Sequence, residues 1–258
     1  MSFAQEAGGV AKVRDAHKRR KTPAAKGQKS LALKGGRTKA NAKPKAKGTG
    51  KRRKHELYET PEEGTLALVN RYRERLADLD TWEPACGRSR LANVLRLQFP
   101  AMGIIQTDLI DHGNPMAVVG LDFTTCHWPA GCKRDRTAII TNPPFSDGDA
   151  EGGGLAARFI HRAVVVHKAP FVAMLVKAGF WHAANRQGLF REAMPTRIHP
   201  LAFRLDFTGD GSPAMEMLWV VWDELDRLAM GPAAFPPYEP LERPRMGADG
   251  DLFDGVQS

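Results

Sequence analysis

The chain has 258 residues, of which 42% are hydrophobic and 26% are charged, as in proteins that bury a core. No apolar run approaches the roughly 18 residues of a membrane-spanning helix, and three cysteines cannot form a disulfide framework. The composition therefore argues against membrane and disulfide-rich secreted proteins and favours the cytoplasm. The net charge of +9 is divided unevenly, because residues 1–54 carry +16 and residues 55–258 carry −7.

Residues 1–54 form a basic leader that consists mainly of Lys, Arg, Ala and Gly. A segment with so few large apolar side chains cannot bury enough surface to offset its ordering entropy, so we expect it to be disordered. Three functions fit it: a tether that binds nucleic acid, a localisation signal at Lys18–Lys21 and Lys51–Lys54, and a solubilising tail. The charge asymmetry favours a polyanionic partner.

From His55 onward, helical and extended patterns alternate. Helices are predicted over Leu66–Leu79, Ser89–Leu97, Leu155–His167 and Phe180–Ala193. Strands are predicted over Trp82–Cys86, Gly103–Asp108, Met116–Val119 with Leu121–Thr124 just beyond it, Ala138–Asn142, Phe171–Val176, Arg197–Phe207 and Met215–Trp222. This order predicts an α/β fold with a doubly wound, mostly parallel seven-stranded sheet, whose last two strands form an antiparallel hairpin at one edge. The folded domain is expected over residues 55–230, followed by a Pro-, Gly- and acid-rich tail over 231–258.

Four predicted strands are followed by residues suited to binding, at the edge where open parallel sheets bind ligands. Glu83-Pro84-Ala85-Cys86-Gly87 is a small turn that leads into a helix and lets a ligand approach the backbone. Asp108 ends the second strand, 25 positions after Glu83, where nucleotide-binding sheets hold ribose hydroxyls. Asp122-Phe123 pairs an acceptor with an aromatic plate for adenine, and Asn142-Pro143-Pro144-Phe145 follows the fourth strand. Their order predicts a nucleotide-type site.

From Tyr58 to Trp222 the chain resembles the S-adenosylmethionine-dependent amino-methyltransferases, specifically the N6-adenine DNA methyltransferases. The most specific match is Ile140–Phe145, which resembles the family's catalytic motif (Asp/Asn)-Pro-Pro-(Tyr/Phe). The ending Leu218–Asp223 is similar to the edge strand of small phage-type members. The resemblance implies a class I, Rossmann-like methyltransferase fold and DNA methylation, as in restriction-modification, in a bacterial or phage-infected cell.

The resemblance also implies a role for each matching residue. The residues that would contact S-adenosyl-L-methionine are Tyr58, Thr60 and Pro61 at its methionine end, Glu83, Ala85 and Gly87 in the first cofactor loop, Asp108 at the ribose, and Asp122 and Phe123 at the adenine. The catalytic residues would be Asn142, Pro143, Pro144 and Phe145.

The chemistry explains the catalytic residue types. An exocyclic amine on a purine is a poor nucleophile, because its lone pair is delocalised into the ring. The side-chain carbonyl of Asn142 and the main-chain carbonyl of Pro143 could hold the amine hydrogens and free the lone pair, while Pro143-Pro144 stiffens the backbone. Phe145 offers a face for a base flipped out of the duplex, where the amine is otherwise inaccessible. No covalent intermediate is needed, so Cys86 is interpreted as a small buried residue.

Several alternatives stay open. Ser89 occupies a position where the family often has a second glycine, so a weakened or lost cofactor site, and with it a non-catalytic nucleic-acid-binding protein, is one alternative. The same motif also serves methylation of RNA adenine or of a protein glutamine. No extra domain for target recognition is visible, which leaves the loops at 124–136, 146–154 and 181–191 as candidates for reading the substrate.

Two weaker signals concern ligands and partners. Cys126, His127 and Cys132 have a spacing that fits no common zinc site, so no metal is predicted. Leu252 and Phe253 faintly resemble the Leu-Phe peptides that bind bacterial sliding clamps, although a solvated tail explains them better. DNA is the predicted partner, and the oligomeric state is undetermined.

Overall fold

A computed structural model describes residues 57–145, 154–181, 186–211, 213, 215–231 and 235–245. The predictions for the leader at 1–54, for most of the loop at 146–154, and for Leu252 and Phe253 lie outside the described residues. Within those ranges, no helix combines the length and the apolar character that crossing a membrane requires.

The described helices flank the sheet strands in chain order. They are α1 (Glu62–Ala77), α2 (Arg90–Gln98), α3 (Leu155–His161), α4 (Gln187–Glu192) and α5 (Glu224–Ala229). A π-helical turn over Arg162–Val166 continues α3, and a 3-10 turn over Ala178–Trp181 precedes α4. The single helix predicted over Leu155–His167 is therefore an α-helix that widens into a π-turn.

Seven strands form one sheet. They are β1 (Asp80–Glu83), β2 (Ile104–Asp108), β3 (Ala117–Val119), β4 (Thr137–Thr141), β5 (Phe171–Lys177), β6 (Arg197–Pro200) and β7 (Met217–Asp223). The spatial order is β3-β2-β1-β4-β5-β7-β6, in which β7 is antiparallel to both β5 and β6 and the other pairs are parallel. The predicted fold class, with its mostly parallel sheet and antiparallel edge pair, is confirmed.

Two predicted strands were wrong in extent. The residues Leu121–Thr124 form a turn, because the Asp122 carboxylate accepts hydrogen bonds from the backbone and the hydroxyl of Thr124. The strand expected over Arg197–Phe207 ends at Pro200. Beyond it, the Asp206 carboxylate accepts bonds from the backbone N–H groups of Thr208, Gly209 and Gly211, which folds the chain into a loop.

The sheet is buried on both faces, which explains why its central strands read as continuous apolar runs. Along β5, Ala173 and Leu175 pack with α1 and α2 on one face, whereas Val172 and Met174 pack with Trp82 and α3 on the other. This double burial fixes the strand ends that carry the candidate site.

A C-terminal segment over 235–245 packs along the outer side of β6. It pairs with β6 in parallel, with bridges at Ile198–Tyr238 and Leu201–Leu241. The buried His199 ring donates from Nδ1 to the Glu239 carbonyl over 2.8 Å, so its Nε2 accepts the Tyr72 hydroxyl over 2.7 Å. This part of the predicted tail is thus tied to the domain.

Candidate functional site

The carboxyl ends of β1, β2 and β4 bring together most residues predicted to bind a cofactor. The small pocket at this edge, about 20 Å³, is lined by Leu57, Tyr58, Glu59, Thr60, Glu83, Ala85, Cys86, Gly87, Arg90, Leu91 and Asn142. Six of these residues were singled out from the sequence. Leu57, which was not, lies against the loop, and a Cβ at Gly87 would come within 2.7 Å of its Cδ1.

The loop after β1 is tied to the end of β2. Gly87 has a φ of +51°, in the left-handed region that favours glycine, and its N–H donates to Asp108 Oδ2 over 2.9 Å. The other oxygen of Asp108 accepts the backbone N–H of Ile110 over 2.9 Å. Each carboxylate oxygen can accept a second bond. Asp108 therefore orders the loop and keeps acceptor capacity for a hydroxyl.

Ser89 has a left-handed backbone conformation, which ordinarily favours glycine. Its φ is +74°, one of the few positive values at a non-glycine residue, and its N–H bonds the carbonyl of Cys86. The Ser89 hydroxyl accepts the Gln106 side-chain amide over 2.8 Å. A left-handed conformation costs a non-glycine residue roughly 1–2 kcal/mol, and this buried bond offsets part of that cost. The serine is thus accommodated in the left-handed conformation by a hydrogen bond of its own side chain.

Glu83 supports the helix that follows the loop. It is 2% exposed, and its Oε2 accepts the N–H of Ala92 in the first turn of α2 over 3.2 Å. Burial raises the pKa of this carboxyl well above its ordinary value, and the nearby Asp108 raises it further. Burial therefore disfavours the charged form of this carboxyl beside the pocket.

The pair predicted to bind adenine is only partly placed for that role. Asp122 lies at a turn, with Oδ1 bonded to Thr124. The Phe123 ring is 2% exposed and packs against Trp82 and Phe159, with ring centroids 5.0 and 4.8 Å apart. The Phe123 ring is thus enclosed on one face of the sheet rather than open as expected, and its contact with adenine stays a prediction.

Asn142 directly follows β4 and has one unpaired end. Its Nδ2 donates to the Tyr58 carbonyl over 3.1 Å, which fixes the orientation of the amide. Its Oδ1 is buried and has no hydrogen-bond partner. A buried acceptor without a donor costs about 1–3 kcal/mol, and a ligand N–H would recover that cost.

Aromatic rings and a cation surround the next part of the motif. The Phe145 ring lies 5.3 Å from that of Tyr58 and 5.8 Å from that of Phe207, between centroids, and Lys177 Nζ lies 4.6 Å from its centre. Beside it is a cavity of about 250 Å³, lined by Pro143, Pro144, Phe145, Ala156, Leu175, Val176, Lys177, Gly179, Phe180 and Arg186. We call it the motif cavity.

Sequence reasoning missed Lys177 and Phe207. Lys177 ends β5, so the strand-end rule that selected Asp108 could have selected it as well. Phe207 had no such signal, because it lies in the loop shaped by the Asp206 carboxylate and was expected within a strand.

The three cysteines are free thiols, of which Cys86 is buried. Burial raises the pKa of Cys86 to about 12 and that of Cys132 to about 11, so both are protonated at neutral pH. Cys126 and Cys132 are partly buried against the core. Across the ranges that the structure describes, no group of three or more His, Cys, Asp or Glu side chains is arranged to hold a metal ion.

Comparison with known proteins gives structural neighbours of low identity. No protein-family model matches the chain, and no curated protein matches it. It is similar to the methyltransferase subunit of a type I restriction-modification system from Streptococcus thermophilus (16% identity, 64% of this chain and 44% of that chain, TM-score 0.47). It is also similar to the M protein of the type I restriction enzyme EcoKI (13% identity, 64% of this chain and 43% of that chain, TM-score 0.46). A third similar structure is human methyltransferase 10 domain containing protein (12% identity, 62% of this chain and 82% of that chain, TM-score 0.42). The chain thus spans under half the length of the two restriction-modification subunits.

Proposed function

We propose that the chain transfers a methyl group from S-adenosyl-L-methionine to the N6 amine of adenine in DNA. The observation that carries this proposal is the buried, unpaired Asn142 Oδ1 after β4, because Asn142 lines the small pocket and directly precedes Pro143 of the motif cavity. An acceptor that lacks a donor inside the fold is what an incoming amine would satisfy.

The loop after β1 suits the proposed cofactor. S-adenosyl-L-methionine, when bound, supplies an electrophilic sulfonium methyl group. Gly87 leaves the backbone open to a ligand, Asp108 retains capacity to accept ribose hydroxyls, and Tyr58 and Thr60 border the same pocket. The Leu57 side chain would have to move aside, since the pocket is only about 20 Å³.

The residues around Asn142 suit an amine substrate. Its Oδ1 would accept one amine hydrogen and the Pro143 carbonyl the other, which localises the nitrogen lone pair for attack on the methyl carbon. Bound S-adenosyl-L-methionine would supply the methyl group and keep the electron pair of the broken carbon–sulfur bond, and the amine would release one proton. Pro143 and Pro144 restrict the backbone, so these acceptors need little reorganisation.

The motif cavity suits a flat base rather than a flexible side chain. Phe145 and Phe180 line the cavity with aromatic rings, and Phe207 packs against Phe145, with ring centroids 5.8 Å apart and nearly perpendicular ring planes. Base–aromatic stacking typically contributes about 1–3 kcal/mol per base. DNA adenine and RNA adenine fit these rings equally, and a glutamine side chain would gain less from them.

A non-catalytic nucleic-acid-binding protein remains the second candidate. It was suggested by Ser89, yet the left-handed backbone there and the Gln106 bond keep the loop in the form that glycine would give. This favours a functional cofactor loop over a degenerate one.

Identification of the methylated product tests the proposal. The protein would be incubated with methyl-labelled S-adenosylmethionine and unmodified DNA, RNA or protein. We expect label in N6-methyladenine from DNA and none with Asn142→Ala. Label confined to RNA or glutamine would change the substrate, whereas cofactor binding without transfer to any substrate would favour the second candidate.

The basic leader is proposed to tether the protein to DNA. Each lysine or arginine that neutralises a duplex phosphate contributes about −0.9 to the slope of log affinity against log salt. Deletion of residues 1–54 should therefore flatten this slope sharply and leave turnover at saturating DNA and low salt nearly unchanged. Equal slopes for the two proteins would reduce the leader to a solubilising or localisation segment.

A further inference from the structure

A second cavity, larger than the motif cavity, lies beside it. Its volume is about 610 Å³, and it is bounded by the turn at Thr124–Thr125, by α3 with its π-turn, and by α4. This is within the roughly 300–1,000 Å³ of pockets that bury ligands. We call it the lateral cavity. None of the candidate catalytic residues lines it.

The lateral cavity is basic although the domain is not. Its lining includes Arg158, Arg162 and Arg186 together with His161, and Glu192 is the one carboxylate among the described residues that line it. Residues 55–258 carry −7 as a whole. A concentration of arginines in an acidic domain marks this surface as suited to an anion.

The lateral cavity and the motif cavity adjoin. Arg186 lines both, and the neighbouring residues Ala156 and Ala157 of α3 line the motif cavity and the lateral cavity respectively. If one unit of a polymer occupied the motif cavity, the adjoining units of that polymer would therefore lie next to these arginines.

Two of the arginines are held in place by the protein. Arg162 donates from its terminal nitrogen to the carbonyls of Thr125 and Cys126, and its Nε is buried without a partner. Arg186 donates to the Phe180 carbonyl, and its guanidinium lies 4.2 Å from the centre of the Phe180 ring. Guanidinium groups that are already fixed lose little entropy when they bind an oxyanion, and their planar fork matches phosphate oxygens.

We propose that the lateral cavity binds the phosphodiester backbone of the nucleic-acid strand next to the target base. This rests on the proposed function, because it requires a nucleic-acid substrate in the motif cavity. Arg158 and Arg186 would contact the phosphates, and Glu192 would oppose them. The contact is independent of base sequence and aligns the strand for entry of the flipped base.

The proposal is tested by removing a positive charge and, separately, a negative charge from the lining of the lateral cavity. The full-length variants Arg158→Gln and Glu192→Gln would be compared with Arg191→Gln, an exposed arginine of α4 that does not line the cavity. Binding of a fluorescent adenine-containing duplex would be measured across salt concentrations. We expect Arg158→Gln to weaken binding and to reduce the salt slope by about 0.9, Glu192→Gln to strengthen binding, and Arg191→Gln to change neither. Equal affinities for all four proteins would overturn the proposal.

Duplexes with uncharged backbone linkages test whether the phosphates are the groups that the lateral cavity binds. Duplexes with methylphosphonates on either side of the target adenine should bind the wild-type protein more weakly, and Arg158→Gln should lose no further affinity on them. If unlabelled adenosine monophosphate displaced the fluorescent duplex at the same molar concentration as an unlabelled duplex does, the cavity would bind a free nucleotide and the strand proposal would be wrong.

The binding measurement does not depend on methylation, so its result can be interpreted even if the proposed reaction does not occur. Normal methylation with unchanged binding by the variants would overturn the cavity proposal alone.

Discussion

The two halves of the site differ in how their polar groups are satisfied. In the loop after β1, Glu83 bonds α2, Gly87 bonds Asp108, and Ser89 bonds Gln106. After β4, by contrast, Asn142 reaches the same small pocket, and its Oδ1 is buried without a partner. The first half has a shape that its own hydrogen bonds maintain. The second is incomplete until a donor arrives, so the two should respond differently to substitution.

Asn142→Ala should have the largest effect on the reaction. Loss of an aligned acceptor costs on the order of 3 kcal/mol, which is roughly a hundredfold in turnover. Affinity for S-adenosylmethionine, measured by calorimetry, should stay close to that of the wild type. Full activity in this variant would remove Asn142 from the mechanism, and loss of cofactor affinity alone would move it to the first half of the site.

Glu83→Ala should mainly reduce stability, because it leaves the Ala92 N–H buried without an acceptor. The expected decrease in the free energy of unfolding is about 1–3 kcal/mol by urea titration. Glu83→Gln keeps an acceptor in the same place and serves as the matched control. A loss as large in the glutamine variant would show that the hydrogen bond to Ala92 is not the cause.

The wild type and Glu83→Gln also test the raised pKa of Glu83 through the pH dependence of stability. The folded protein retains the Glu83 proton at pH values where the unfolded chain, with an ordinary glutamate pKa of about 4.3, has released it. The native state thus binds more protons, and this group makes stability fall as pH rises from that value through the raised folded pKa. The wild type should lose stability over this range relative to Glu83→Gln. A difference that is independent of pH would contradict the raised pKa.

Phe145→Ala should weaken capture of the base by about 1–3 kcal/mol. Phe207→Ala should weaken it less, because Phe207 packs edge-on against Phe145 and does not line the motif cavity. Fluorescence of 2-aminopurine at the target position would report flipping, and cofactor affinity would be the control. Phe123→Leu offers a contrast, since its ring is enclosed in the core and should affect stability rather than flipping. Equal flipping by the wild type and both alanine variants would exclude stacking on these rings.

Ser89 substitutions should give the smallest effects and separate two contributions. Ser89→Ala keeps the left-handed strain and loses the Gln106 bond, whereas Ser89→Gly loses the bond but relieves the strain. Glycine should therefore be more stable than alanine by about 1 kcal/mol in thermal or urea unfolding. An alanine variant as stable as the glycine variant would mean that the loop has relaxed to another conformation.

The sequence predicted the position of a site residue correctly where that residue directly follows a strand of the parallel sheet. The patterns of β2 and β4 placed Asp108 and Asn142 at the same edge, because parallel strands end together. It did not indicate that the Phe123 ring is enclosed, since an aromatic residue after an acid is equally suited to stacking on adenine and to filling the face behind Trp82. It also failed for Phe207, whose position depends on side-chain bonds within a loop rather than on periodicity.

The segment over 235–245 also determines how the sheet meets other molecules. An exposed edge strand offers unpaired N–H and C=O groups to a strand of another chain and promotes aggregation. Here the carbonyl of Pro237 accepts from Ile198, and the N–H groups of Glu239 and Leu241 donate back to β6. The opposite edge, β3, has only three residues. A shortened protein that ended at residue 230 would thus expose the longer edge, and the smallest version suited to solution experiments should extend through residue 245.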